Sequence, residues 1–178
     1  LRESIIEALK QTGKQNEQKD GMDMSLAAIN IETKKCLWAG ANNPLYIVRQ
    51  GAPPENDETV DGKNVKIVNF DSCYLKEIKG DKMPVAIHAI MNSYVNHEVQ
   101  LEQGDRIYLF TDGFADQFGG SDYRKFMAKK FKELIASTST LPIHKQHKTI
   151  DNAFSNWVNY EGKEYEQIDD VTLMGIEL

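Results

Sequence analysis

The chain has 178 residues, which predicts one domain, since two domains of ordinary size would need roughly 150 residues each. Hydrophobic residues make up 40% and charged residues 27%, enough apolar material for one core and too much for a disordered chain. The net charge of −6 argues against general affinity for nucleic acid or anionic lipid, because both need a basic surface. No run approaches the roughly 20 consecutive apolar residues of a membrane span, so we expect no direct membrane contact from this segment.

The cysteines and the first residues of the chain indicate the cellular compartment of the protein. Cys36 and Cys73 are too few for a disulfide framework and lack the C-x-x-C spacing of a zinc site, so we predict that both are reduced and structural. The first residues lack the continuous apolar core of a signal peptide. We therefore expect a cytoplasmic chain, although its parent protein could be anchored to a membrane through an upstream sensor.

An apolar stripe at helical spacing opens the chain. Leu1, Ile5, Ile6 and Leu9 fall on one face, which predicts a helix that ends near Gly13. Neither an initiator methionine nor an N-cap residue comes before this helix. We therefore expect the sequence to be a fragment of a longer protein, cut on its N-terminal side.

Apolar runs predict strands through the middle of the chain. Polar or proline- and glycine-rich stretches separate these runs and are typical of loops, most clearly at 14–20 and 51–64. The run RIYLFT at 106–111 is apolar and predicts a strand buried on both faces. The predicted strands are 22–31, 36–39, 45–49, 65–70, 74–78, 94–101, 106–111 and 171–176.

The last third changes to helical spacing. Large apolar residues predict a helix over 121–136, with Ser121 and Asp122 as its cap. A second helix is predicted over 143–158, with Pro142 near its start. Short antiparallel strands, a helical pair and one returning strand together indicate an α+β layered domain that spans residues 1–178.

Two acidic clusters stand at the ends of predicted strands. Asp112 and Asp116 follow the buried strand 106–111, and Asp169 and Asp170 come directly before the final strand. A carboxylate near apolar neighbours is costly unless a cation compensates it, and Mg²⁺ and Mn²⁺ prefer carboxylate oxygens. Asp112 and Asp116 are four residues apart, so a helical turn would aim both the same way. Gly113 would let the backbone approach a bound ion closely.

Spacing alone leaves a second interpretation open. An Asp-Gly pair after a strand is usually a turn, and an aspartate before a strand usually caps a loop. His88, His97, His144 and His147 show no ligand spacing with a nearby carboxylate. The sequence contains no G-x-S-x-G, P-loop or G-x-G-x-x-G motif, so serine hydrolase, P-loop and dinucleotide-binding functions have no local support.

Five blocks, taken together, resemble a known family. They are DGMDMSLAAIN (20–30), AGANNPLYIVR (39–49), IKGDKMPV (78–85), GDRIYLFTDGFADQFGG (104–120) and QIDDVTLMGIEL (167–178). In this order they closely resemble the SpoIIE-type phosphatases, the bacterial branch of the metal-dependent PPM serine/threonine phosphatases. The resemblance implies an α/β sandwich of two antiparallel sheets flanked by helices, with a metal centre between the sheets at one edge.

The resemblance also implies a function and a set of ligands. Family members dephosphorylate phosphoserine or phosphothreonine on proteins, often anti-sigma-factor antagonists, by attack of water activated by two Mn²⁺ or Mg²⁺ ions. Asp112 and Asp169 match the metal ligands, with the Gly113 backbone adjacent, and Asp116 could help to hold a further, weaker metal. Asp170, where the superfamily commonly has Asn, would support the ligands from behind. Asn42 and Asn43 would form a tight turn near the site.

Two departures from the family pattern limit these expectations. The early D-x-T-G-H-G-like block, which contacts both metals in the family, has no counterpart here, and no His-Gly dipeptide occurs in the sequence. Ala86 stands where the family usually has a glycine after the proline. We therefore predict that the fragment binds metal weakly and has little or no activity. Missing early strands would expose sheet edges, which favours a homodimer.

Two other functions remain open from the sequence. One is a non-catalytic module that keeps the phosphatase fold to bind a phosphoprotein. The other is a structural or oligomerisation domain, for which Asp112→Asn would raise stability in metal-free buffer and affect no partner. The retained Asp112 and Asp169 favour the enzyme, because a scaffold has no physical reason to keep carboxylates there.

Overall fold

A computed structural model describes residues 1–14, 20–54, 65–89 and 91–178. Most of the predicted loop 51–64 and most of the predicted loop 14–20 lie outside the described residues. Within them the elements, in chain order, are α1 (Arg2–Ala8), β1 (Met24–Asn30), β2 (Lys35–Ala41), β3 (Leu45–Gln50), β4 (Val65–Asn69), β5 (Cys73–Ile78), β6 (His97–Gln100), β7 (Arg106–Phe110), α2 (Gly113–Asp116), β8 (Phe118–Gly119), β9 (Arg124–Lys125), α3 (Ala128–Thr138), α4 (Ile143–Val158), β10 (Asn159–Tyr160), β11 (Lys163–Glu164) and β12 (Leu173–Glu177).

The strands form a sandwich of two antiparallel sheets. A five-stranded sheet has the order β12-β7-β3-β5-β4, and a three-stranded sheet has the order β1-β2-β6. Alternate side chains of a strand point to opposite faces, and β3 uses both faces for the core. Leu45 and Ile47 pack with Trp38 of the smaller sheet, whereas Tyr46 and Val48 pack with Phe131 of α3. The predicted sandwich is confirmed, with α3 and α4 against the outer face of the larger sheet.

The predicted buried strand 106–111 is confirmed as β7. It lies between β12 and β3 in the larger sheet, and Ile107 faces the smaller sheet while Tyr108 faces the helices. The predicted helix 143–158 is also confirmed, because α4 has the same bounds and begins after Pro142. Both cysteines are free thiols and buried, as predicted, and burial raises the pKa of the Cys36 thiol to about 11.

The predicted helix 121–136 is wrong over its first half. The helix begins at Ala128, and the residues before it form a two-stranded hairpin of β8 and β9. Tyr123 and Met127 adopt positive φ angles of 50° and 76°, which an α-helix cannot contain. Ser121 and Asp122 therefore lie in the hairpin and cap no helix.

Two smaller predictions also need correction. The first helix ends at Ala8, well before Gly13, and Lys10 is the residue that turns the chain with a φ of 52°. The strand predicted over 94–101 is shorter, His97–Gln100, because the Val95 N–H bonds the Asp81 carboxylate instead of a neighbouring strand. Among the described residues, no helix is both long enough and apolar enough to span a bilayer.

Candidate metal centre

The two acidic clusters meet because β7 and β12 are antiparallel neighbours. Leu173 pairs with Phe110, so the end of β7 lies beside the start of β12. The Thr111 N–H donates to the Thr172 carbonyl at 3.0 Å, which extends the pairing one step beyond the sheet. Asp112 follows Thr111 on one segment, and Asp170 lies two residues before Thr172 on the other. The sheet register alone thus brings together residues from distant parts of the sequence.

Asp112 is the residue directly before the short helix α2. Its backbone carbonyl accepts the Asp116 N–H at 2.9 Å, which closes the helical turn predicted from the spacing. Its side chain makes no capping hydrogen bond to the helix, although aspartate at this position commonly does so. The carboxylate is exposed to solvent and is not used in holding the turn.

The pKa of the Asp112 carboxylate is raised by its surroundings. Partial burial raises its pKa above the ordinary value, and the carboxylates of Asp116 and Asp169 raise it further. Asp23 adds a smaller effect in the same direction, and a backbone hydrogen bond at Asp112 itself opposes these effects in part. Negative charges are thus gathered at one edge of the sandwich, where a cation would relieve their repulsion.

Asp169 and Asp170 form a compact turn before β12. The Asp169 carboxylate accepts the Asp170 N–H at 2.7 Å, and the Asp169 carbonyl accepts the Gln167 side-chain amide at 2.9 Å. The Asp170 carbonyl accepts the Thr111 hydroxyl at 2.8 Å. Asp170 thus anchors this turn to the end of β7 through its backbone carbonyl.

Gly113 serves the contact between the two acidic segments. A Cβ added to it would lie 2.5 Å from the Asp170 carbonyl oxygen, closer than such atoms approach. The glycine therefore lets the Asp170 backbone come against the first turn of α2. In the structure its missing side chain makes room for Asp170, whereas the sequence interpretation assigned that room to an ion.

Asp116 already has a cationic partner. Its Oδ2 lies 3.0 Å from the Lys125 Nζ, which reaches back from β9. Both side chains are partly exposed, so the pair is a modest interaction. Any metal held by Asp116 would compete with this lysine.

The turn Asn42–Asn43 lies between β2 and β3, and Asn42 bonds Asp81 and Asp23. Asn42 adopts a φ of 59°, a left-handed conformation that asparagine tolerates better than most residues. Its N–H donates to the Asp81 carbonyl at 2.8 Å, and its side-chain amide donates to Asp23 Oδ1 at 2.7 Å. Asn43 is buried, and its carbonyl lies against Gly40 where a Cβ would be 2.4 Å away.

Asp23 is a site residue that the sequence interpretation missed. It stands in the block DGMDMSLAAIN just before β1, and its carboxylate is close enough to Asp112 to contribute to the raised pKa of that group. Its position between apolar residues at a strand start is the same signal that singled out Asp169 and Asp170. That signal could have identified it.

The chemistry of these groups fits a hard divalent cation, but they do not enclose one. Exposed carboxylates that repel one another are the donors that Mn²⁺ and Mg²⁺ prefer. Nevertheless, the described residues contain no group of three or more His, Cys, Asp or Glu side chains arranged to hold a metal ion. Asp112 and Asp169 would therefore supply part of a ligand set, with water in the remaining positions.

Comparison with known proteins places the chain in a family. The family model of Stage II sporulation protein E (SpoIIE) matches residues 67–178. That range holds both acidic clusters and more than half of the chain. The chain therefore belongs to the SpoIIE family, as the sequence blocks predicted. A search of curated proteins found no match.

One solved structure shows the same fold, and two others are also similar to the chain. The SiaA-PP2C domain of Pseudomonas aeruginosa is 23% identical with a TM-score of 0.62, over 86% of this chain and 50% of that one. The phosphatase domain of the cell fate determinant SpoIIE from Bacillus subtilis is 14% identical with a TM-score of 0.45, over 99% of this chain and 64% of that one. A Mn-presoaked structure of the same Bacillus domain is also similar, with a TM-score of 0.48. The chain thus spans about half to two thirds of the length of these domains.

Proposed function

We propose that this chain is a metal-dependent phosphatase module that hydrolyses phosphoserine or phosphothreonine on a regulatory protein. The observation that carries the proposal is the convergence of Asp112 and Asp169 at one edge of a SpoIIE-family sandwich, close enough for Asp169 to raise the pKa of Asp112. Carboxylates brought together without a compensating cation cost stability, so the arrangement is best explained by a bound ion.

Asp112 and Asp169 would hold Mn²⁺ or Mg²⁺, and Asp116 could hold a further ion weakly. Such an ion, when bound, supplies a water of lowered pKa and a positive charge for phosphate oxygens. The chain's own groups set the conditions for this chemistry. Thr111 and Asp170 hold the two acidic segments together, and the Asn42 amide fixes the orientation of the Asp23 carboxylate.

The openness of the site supports a protein substrate. Asp112, Asp169 and Asp170 are exposed to solvent, so a phosphorylated side chain on a large partner could reach them without a channel. A small-molecule phosphatase would more commonly enclose its substrate in a pocket. An anti-sigma-factor antagonist is our candidate substrate, in a cytoplasmic signalling pathway, and a homodimer through sheet edges remains part of the proposal.

The second candidate is a non-catalytic phosphoprotein-binding module. It is favoured by the incomplete ligand set in the described ranges and by the pairing of Asp116 with Lys125, which already neutralises one carboxylate. Such a module would keep the fold and its exposed acidic edge but would need no metal. The two candidates differ in whether phosphate is released.

The test measures phosphate release from a phosphoserine peptide by this chain at millimolar Mn²⁺, with Asp112→Asn as the matched control. We expect slow release by the wild-type chain that Asp112→Asn abolishes, together with weak Mn²⁺ binding that the same substitution removes. Peptide binding without release, unchanged in Asp112→Asn, would instead support the binding module. Equal release by both chains would contradict the assignment of Asp112.

A further inference from the structure

Gln117 is a buried residue directly after Asp116 whose side chain reaches the other acidic segment. Its side chain is fully shielded from solvent. The Gln117 amide nitrogen donates to the Glu166 carbonyl at 2.8 Å and to the Phe118 carbonyl at 2.9 Å. The Gln117 amide oxygen accepts the Ile168 N–H at 3.3 Å. One side chain thus bonds two backbone groups of the segment that leads into Asp169.

The three bonds require glutamine at this position. Two partners are carbonyl acceptors and one is an N–H donor, so only a side chain with both a donor and an acceptor satisfies them. A buried glutamate of the same shape would set an acceptor against two carbonyl oxygens, and a methionine would leave all three backbone groups without this partner. The Gln117 amide therefore bonds the backbone of residues 166–168 in one orientation only.

Gln117 is one of two anchors between the acidic segments. At one end Thr111 bonds the segment before β12 twice, because its hydroxyl donates to the Asp170 carbonyl and accepts the Thr172 N–H at 2.9 Å. At the other end Gln117 bonds Glu166 and Ile168. Asp112 and Asp116 lie between the anchors on one segment, and Asp169 lies between them on the other.

The backbone of Gln117 ties this second anchor to the rest of the domain. Its carbonyl accepts the Trp157 indole N–H at 3.0 Å and the Phe126 N–H at 2.9 Å. Trp157 also packs so closely on Gly119 that a Cβ there would lie 2.0 Å from the Trp157 carbonyl. Gln117 is thus held by α4 and by the hairpin, so it can fix residues 166–168 against a rigid support.

We propose that Gln117 is a positioning residue for the candidate metal centre: it holds the segment 166–168 so that Asp169 faces Asp112. This inference rests on the proposed function for its consequence, because the distance between the two carboxylates matters for metal binding. Side chains that support metal ligands from behind typically change metal affinity by roughly 10–100-fold when they are replaced.

The experiment compares Gln117→Met with Gln146→Met in the full 178-residue chain. Gln146 is the matched control: it is also a buried glutamine, and it bonds Arg106, Tyr108, Thr138 and the Ile135 carbonyl, away from the acidic segments. Both substitutions remove a buried, fully bonded amide. Two readouts are taken: Mn²⁺ affinity from the free-ion electron paramagnetic resonance signal, and the amide NMR shifts of Ile168 and Asp169 without metal.

We expect Gln117→Met to weaken Mn²⁺ binding about tenfold or more, and Gln146→Met to stay within about twofold of the wild type. The Ile168 and Asp169 amides should shift in Gln117→Met only. Equal losses of Mn²⁺ affinity in both variants, or unshifted amides in Gln117→Met, would overturn the inference. Should Gln117→Met fail to fold, Gln117→Asn replaces it with the same two readouts, because asparagine keeps a neutral amide on a side chain that is one methylene shorter.

The two readouts separate this inference from the proposed function. A wild-type chain that binds no Mn²⁺ would contradict the metal site itself. The metal-free amide shifts would still decide whether Gln117 positions the segment, since they need no ion. Shifts confined to Gln117→Met would then support the positioning role alone.

Discussion

Gly113 and Asp170 are in backbone contact across the two acidic segments, with no room between them for a Cβ, which would lie 2.5 Å from the Asp170 carbonyl oxygen. The contact joins the first turn of α2 to the turn before β12. The separation of the two acidic segments therefore depends on this position having no side chain. Three predictions concern this contact and the charges around it, and a fourth concerns the buried ion pair at the opposite end of β7.

Replacing Gly113 with alanine should force the two segments apart. We expect Gly113→Ala to lower the free energy of unfolding by about 1–3 kcal/mol, as overpacking commonly does, and to weaken Mn²⁺ binding. Urea denaturation and metal titration measure the two effects. Gly175→Ala is the control, because a Cβ there would lie 3.4 Å from the Tyr108 ring, an ordinary contact. Equal stability of the two variants would contradict the predicted clash.

Asp112→Asn should stabilise the chain in metal-free buffer at neutral pH. The pKa of Asp112 is raised in the folded state, so its ionised form is less favourable there than in the unfolded chain. Removing that charge should add a few tenths of a kcal/mol, a size typical of exposed charges. The gain should disappear as the pH falls through the raised pKa, where the wild-type carboxyl is protonated. Thermal unfolding between pH 3 and 7 measures the difference, and a gain that grew on acidification would be inconsistent with this sign.

Lys125→Met should strengthen Mn²⁺ binding. The lysine lies 3.0 Å from the Asp116 carboxylate, where its charge opposes a metal ion. Exposed pairs are worth about 0.2–1 kcal/mol, so the affinity should rise roughly two- to fivefold at low salt. Lys129→Met, on the exposed face of α3, is the control for the loss of one charge. Isothermal titration at two salt concentrations tests this, and equal effects of the two variants would mean that the pair is irrelevant to the site.

Asp105→Ala should be strongly destabilising. Asp105 is fully buried just before β7, and its two oxygens accept the Arg49 guanidinium, each at 2.7 Å. Removing Asp105 leaves the largely buried Arg49 guanidinium with the exposed Glu102 carboxylate as its ion-pair partner, and breaking a buried pair in this way costs about 3–5 kcal/mol. Glu98→Ala, which breaks an exposed pair with Lys35, should cost less than about 1 kcal/mol. Urea midpoints measured side by side compare the two, and similar shifts would argue that the Asp105 pair is not effectively buried.

The sequence predicted those parts of the fold that depend on long apolar patterns. The strand 106–111 and the helix 143–158 are examples, because burial on two faces and on one face leave distinct spacings. The predicted helix 121–136 was wrong over its first half because Tyr123, Phe126 and Met127 have helical spacing, although Phe126 is buried and the other two are exposed. The positive φ angles at Tyr123 and Met127 that define the hairpin of β8 and β9 have no signature in the residue types.

The sequence predicted the candidate site only in part. Asp112 and Asp169 were found through the family blocks and through their places at strand ends. The neighbourhood of Asp23 depends on how the two sheets face each other, and the reach of Gln117 depends on the path of residues 166–168. Such contacts between distant segments are set by tertiary packing, which local sequence patterns do not record.

The pairing of β7 with β12 also has a kinetic consequence. Three helices (α2, α3 and α4) and the paired short strands β8–β9 and β10–β11 lie between the two strands in sequence. By contrast, β1 and β2 are joined by a short turn. Contacts between segments distant in sequence are slow to form. We therefore expect the carboxylates to come close to one another only after the folding transition state. Their repulsion should then quicken unfolding and leave the folding rate nearly unchanged. A bound cation would accordingly lower the unfolding rate and lengthen the lifetime of the native chain.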